Sequence, residues 1–107
     1  MPGVKFMVLY PRPTDIDAFE KVYQEEHVPM AVKNLVGKTK LVATKVVASP
    51  EGTPPFYRIA EIHFPSMEAL GACAATAETK ATLAHAVKIS TGGKPIFMIA
   101  EEQTFTF

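Results

Sequence analysis

The sequence predicts one α+β domain with the element order β-α-β-β-α-β. Three observations carry that prediction. Four stretches rich in β-branched, aromatic and aliphatic residues are closed off by Pro, Gly or polar turns, and each reads as a strand. Two longer stretches carry helix caps and apolar residues at helical spacing. At 107 residues there is room for a single domain, 1–107, with a modest core.

The first strand is Val4 to Tyr10, VKFMVLY, stopped by Pro-Arg-Pro. Thr14-Asp15-Ile16-Asp17 then fits a capping box, with acids placed to suit the helix dipole. Ile16, Phe19 and Tyr23 form the apolar stripe of the helix that follows, and His27 falls four residues further along it. Pro29 biases Val28 away from the α region, so this helix is predicted to end or kink near His27. A short second turn, MAVKNL, leads to Gly37.

The second strand is read over Lys38–Ser49, with SPEGTPP as a loop and Phe56–Phe64 as the third strand. Ser66 caps a helix running from Met67 to about Ala75. It breaks around Thr76-Ala77-Glu78, resumes to Ser90 and stops at Gly92-Gly93. PIFMIAEEQTFTF supplies the fourth strand and a tail. This is the split βαβ order of ferredoxin-like folds: a four-stranded antiparallel sheet with two helices on one face. VKFMVLY and IFMIA are apolar on both faces, so both faces of their sheet are predicted to be buried. The helices can cover only one, and a second copy packed sheet to sheet covers the other, giving a homodimeric α/β barrel.

Lys and Arg total 11, as do Asp and Glu, so no net field attracts nucleic acid or an anionic membrane. The expected partners are a small molecule and a second copy of the chain. No stretch approaches the roughly 20 apolar residues of a membrane span, and no secretory signal pattern is present, so a soluble cytoplasmic protein is predicted. The single cysteine, Cys73, reads as a small buried hydrophobe. Three His and one Cys show no metal-ligand spacing, and no flavin or nicotinamide fingerprint exists, so neither metal nor cofactor is expected. Thr91-Gly92-Gly93-Lys94 ends a helix where a phosphate loop would open one, and reads as a C-cap and turn.

His27 is the foremost candidate for chemistry, because an imidazole at a helix end can move a proton near neutral pH. On the third strand Tyr57, Ile59, Glu61 and His63 point one way, and Arg58, Ala60, Ile62 and Phe64 the other, toward the helices. Glu61 and His63 therefore face the predicted barrel interior as a carboxylate beside an imidazole, with Tyr10 the other plausible partner of His27. Tyr10, Tyr23 and Arg12 are candidate substrate contacts. Arg12 and Arg58 read by default as solvated surface residues, and Met7, Met30, Met67 and Met98 as core or adaptable pocket lining.

Four stretches together resemble the EthD family, named for ethyl tert-butyl ether degradation: LYPRP, FEKVYQEEHVPM with its His-x-Pro, FYRIAEIHFPSMEAL, and ATAETKA followed by TGGKPIFMIAEE. The resemblance covers nearly the whole chain. It implies a dimeric α/β barrel and a functional His27. It also implies a place among relatives that include cofactor-free monooxygenases, lactone isomerases and haem-binding enzymes. Where the family often has an acidic residue in the second helix, this sequence has His85. Two function classes follow: a cofactor-free enzyme acting on a small apolar oxygenated molecule by oxidation or proton transfer, and a binding or accessory protein for a partner oxidase. Haem binding through His27 or His63 is a third.

Overall fold

The computed structural model describes residues 3–107. Four strands, β1 (Gly3–Pro11), β2 (Lys40–Lys45), β3 (Phe56–Phe64) and β4 (Ile96–Glu102), pair antiparallel in the order β2-β3-β1-β4. The connections are helical: α1 (Ile16–Val22), a π-helical turn (Tyr23–His27) and α2 (Val28–Asn34) after β1, then α3 (Met67–Ala74) and α4 (Ala77–Ile89) after β3. The core lies between these helices and one face of the sheet, where Val8, Tyr10, Phe19, Tyr23, Ile62 and Leu70 are buried together. This is the ferredoxin-like arrangement that the element order predicts.

The helix before β2 departs most from expectation. Pro29 does not end it. Val28 stays helical at φ −60° and ψ −47°, and its N–H reaches back five residues to the Tyr23 carbonyl. The physical reason is local. Pro29 has no N–H for the Glu25 carbonyl and its ring would crowd that group, and the wider π turn relieves the crowding without breaking the chain of bonds. Tertiary packing fixes the result: Phe19, Tyr23, His27, Ala31 and Leu35 are all buried, at strict spacings of four.

Three smaller corrections concern ends and faces. The cap of α1 is Asp15, whose Oδ1 accepts from the Ala18 N–H at 3.1 Å, while the Thr14 N–H donates to Thr91 Oγ1. β2 is shorter than Lys38–Ser49: beyond Lys45 one further bond joins Val46 to the Tyr57 carbonyl, and Val47 is already exposed. A bulge sets Pro11 opposite Phe56 but Tyr10 opposite Arg58, so Tyr57 is the extra residue. It turns toward the helices, edge-on to Phe19 at 5.9 Å, and does not share a face with Ile59 and Glu61.

The predicted stop of α4 has a steric basis. A Cβ on Gly92 would stand 1.8 Å from the Arg12 carbonyl oxygen, so the backbone leaving β1 closes directly onto the turn after α4. The sheet face away from the helices is only partly shielded. Met98 and Ile96 of β4 are 41% and 44% exposed there, beside half-buried Met7, Leu9 and Ile59.

Candidate functional site

His27 closes the π turn and is 7% exposed. The spacing of four along its helix stacks Phe19 on Tyr23, with ring centroids 5.4 Å apart, and Tyr23 on His27 at 5.8 Å. The column continues into α4, where the His85 ring lies 5.1 Å from His27 and only 12° from parallel. Tyr10, from β1, meets the column edge-on.

Both nitrogens of His27 are engaged. Nε2 is 3.1 Å from the Tyr10 hydroxyl, and Nδ1 is 2.9 Å from Nδ1 of His85. Beyond it, Nε2 of His85 faces Oε1 of Glu26 at 3.8 Å, and that carboxylate is largely in solvent. Burial, and secondarily the neighbouring His85, pull the His27 pKa down to about 4, so its imidazole is neutral at neutral pH. Burial raises Tyr10 well above the usual phenol range, which keeps its hydroxyl protonated.

The imidazole forms part of the wall of a cavity of about 60 Å³ between helices and sheet. By the same measure one water needs roughly 10–15 Å³, so a small molecule fits. Tyr23, Thr79 and Thr82 also line it, and the rest is mostly apolar, with Phe6, Ile62, Phe64 and Leu70 prominent. Cys73 is buried at the far side, its sulfur 3.3 Å from the Thr79 hydroxyl.

An ion pair supports the column from below. Arg58 is 6% exposed and bonds both Glu20 oxygens at 2.8 Å, with its guanidinium carbon 5.0 Å from the Tyr23 ring centre. The pair holds the Glu20 carboxyl below the usual carboxylate range. Arg58 is thus buried, against the expectation of a solvated side chain. The bulge at Tyr57 and a carboxylate 38 positions away on α1 make that burial possible.

Glu61 and His63 do lie on the face away from the helices, as the alternation predicts, but they do not meet His27. Pairing of Lys5 with His63 and of Phe6 with Ile62 sets Glu61 and His63 on the opposite side of the sheet from the cavity. Nor do they partner each other: Glu61 pairs with Lys5, and His63 Nδ1 lies 3.4 Å from Glu102, which also reaches Lys5 at 3.3 Å. Glu102, at the end of the edge strand β4, accordingly belongs to this cluster. Tyr23 lines the cavity, Tyr10 stands behind His27, and Arg12 is exposed and no part of the wall. None of Met7, Met30, Met67 and Met98 lines the cavity, and Met67 and Met98 are exposed. Of the residues joined to His27, sequence reading finds Tyr10 and misses His85 as a site residue. Its one signal is an imidazole standing where the resembled family often has an acid.

Fold and cavity together define a ferredoxin-like domain with a buried apolar pocket under its helices. The EthD domain model matches residues 11–89, and the chain belongs to the EthD family. A crystal structure of an EthD family protein from Bacillus halodurans is 34% identical, with a TM-score of 0.87 over 96% of this chain and all of that one. Two remoter structures share the fold. A dimeric ferredoxin-like protein of unknown function from Jannaschia sp. is 12% identical, with a TM-score of 0.68 over 94% of this chain and 99% of that one. A candidate antibiotic biosynthesis monooxygenase from Caulobacter crescentus is 21% identical, with a TM-score of 0.60 over 96% of this chain and 91% of that one. Among the described residues, no helix is long and apolar enough to cross a membrane.

Proposed function

We propose that this protein is a cofactor-free enzyme that removes a proton from a small, largely apolar, oxygenated molecule held in the cavity beneath its helices. The outcome is isomerisation, or oxidation once O₂ attacks the resulting carbanion. One observation carries the reading: a neutral, buried imidazole, His27, stands at the wall of an otherwise apolar pocket large enough for a small molecule. A largely apolar pocket with a single imidazole on its wall is the arrangement that proton abstraction requires. The proton is taken at Nε2 once the Tyr10 hydroxyl that now bonds there gives way, and Tyr23 is the hydroxyl-bearing ring of the cavity wall, placed to orient a substrate oxygen.

The working unit in this proposal is a cytoplasmic homodimer. The partly exposed Met98 and Ile96 on the sheet face away from the helices are what a second copy would bury. The buried, unpaired Cys73 suits a reducing compartment. Glu61 and His63 would then lie between the two sheets and act on the interface, with no direct part in the chemistry of the cavity.

The test is deuterium wash-in. Small ethers, lactones and phenols are incubated with the protein in D₂O and read by mass spectrometry. The native protein is expected to label at least one of them, and His27→Asn to lower labelling about 10²-fold or more while remaining folded. A specific observation favours a second reading, a binding or accessory protein for a partner oxidase: both His27 nitrogens already have partners. A ligand that binds in the cavity and never exchanges its protons would establish that reading instead.

A further inference from the structure

A buried imidazole with a pKa of about 4 is a poor terminal base at neutral pH, and His27 has no carboxylate against it to offset a positive charge. The hydrogen-bond chain answers the difficulty. Two Nδ1 atoms at 2.9 Å share one proton. If that proton is on His85, a neutral His85 turns a bare Nε2 toward the Glu26 carboxylate, lone pair against negative charge. If it is on His27, every contact runs from donor to acceptor. Tyr10 O–H donates to His27 Nε2, His27 Nδ1–H donates to His85 Nδ1, and His85 Nε2–H points at Glu26. The resting pair is therefore His27 in the Nδ1–H form and His85 in the Nε2–H form.

We infer that His85, backed by Glu26, is the true proton acceptor of the site, and that His27 passes the proton on without carrying a charge. The inference rests on the proton-abstraction reading above. The substrate's bond to hydrogen breaks and its electron pair stays behind. The Tyr10 hydroxyl releases His27 Nε2, and the proton goes there as the Nδ1 proton of the same ring crosses to His85 Nδ1. His27 remains neutral in its other tautomer, and the charge comes to rest on His85 opposite the Glu26 carboxylate, where solvent reaches. His85 is a positioning residue in this scheme: it touches His27 and not the substrate. The other ionisable side chains against the imidazole pair are Tyr10 from β1 and, on the far side of His27, Tyr23 with Arg58 from β3. The side chains that α2 and α3 bond to α4 are Asn34, through Thr82, and Cys73, through Thr79.

The test reads tautomers and needs no substrate. Long-range ¹⁵N–¹H spectra of uniformly labelled native protein at neutral pH should show His27 as Nδ1–H and His85 as Nε2–H. On acidification, as His85 takes its second proton, His27 should invert to Nε2–H. In His85→Gln the amide oxygen can accept from His27 Nδ1–H but cannot take the proton, so His27 should keep its tautomer down to about pH 4, where its own ring charges. His85→Ala removes the acceptor and should leave His27 in mixed tautomers. His27 found as Nε2–H at neutral pH, or failing to invert as His85 protonates, overturns the relay. The two ideas fail separately. Inversion without deuterium wash-in sinks the enzyme and keeps the relay, whereas wash-in that needs His27 but survives His85→Gln sinks the relay and keeps the enzyme.

Discussion

His27 and His85, 58 positions apart, meet Nδ1 to Nδ1 at 2.9 Å with their rings nearly parallel. The contact ties the π turn after α1 to α4 beside the cavity, so the geometry of the pocket and the protonation of its imidazole depend on the same pair of side chains.

Stability should fall on mild acidification because of His27. Its folded pKa lies near 4 against an ordinary value of 6.5, so between these values the unfolded chain binds the extra proton and the folded one does not. The contribution is complete above about pH 6.5, is lost as pH drops toward 4, and changes no further below that. The loss is about 3 kcal/mol. Urea unfolding at pH 7.5 and pH 4.5 measures it. His27→Asn should flatten the difference, and an equal acid loss in that variant would show that other groups cause it.

Arg58→Met should destabilise the fold by about 3 kcal/mol, since it strands the Glu20 carboxylate beside Tyr23. Adding Glu20→Leu should recover most of that loss, because the charge left without a partner is then gone. Denaturant midpoints of the two single variants and the double variant give the coupling directly. Additive single effects would mean that the pair is structurally idle.

Gly92→Ala should cost roughly 2–3 kcal/mol, because the new methyl group collides with the Arg12 carbonyl and only backbone movement relieves it. Gly71, with open space around its Cβ position on α3, is the control and should tolerate alanine. Thermal unfolding of both variants decides it. A neutral Gly92→Ala would show that the turn and the end of β1 are not held so close.

Sedimentation at micromolar concentration should give about twice the 11.7 kDa chain mass. Met98→Asp should shift the protein toward monomer, since the charge falls on the exposed apolar part of the sheet. A stable monomer of the native chain would remove the sheet-to-sheet assembly. In the same preparation, haemin should bring no His27-dependent Soret shift, because both His27 nitrogens already have partners.

Much of the scaffold was legible because its signals are local. β3 keeps its predicted bounds, Phe56–Phe64, since a strand framed by prolines needs no distant information. The place of His27 on the buried stripe followed from spacing alone. The π turn was misread because the rule about residues before proline looks one position ahead and no further. The sequence did hold a clue. Successive fours drift about 40° per step on an α-helix, so Phe19 and Leu35 would stand about 160° apart, yet Phe19, Tyr23, His27, Ala31 and Leu35 keep that spacing with no charged residue among them at neutral pH. A wider turn restores them to one side. His85, the Tyr57 bulge and the buried Arg58 were beyond reach for another reason: each depends on a partner in a different element.

The π turn also marks the one place where this helix can lose a residue. Its bond from Val28 N–H to the Tyr23 carbonyl spans five residues, and loss of one residue between them, such as Glu25, would turn it into an ordinary α-helical bond. The later residues would keep their places: Ala31 would stand about 20° and Leu35 about 60° from Phe19 about the helix axis. A deletion inside a regular helix such as α4, at Lys80 for example, would instead swing every later residue by about 100°. In a library of this protein, single-codon deletions at the exposed positions Gln24, Glu25 and Glu26 should therefore be better tolerated than deletions at exposed positions of α4.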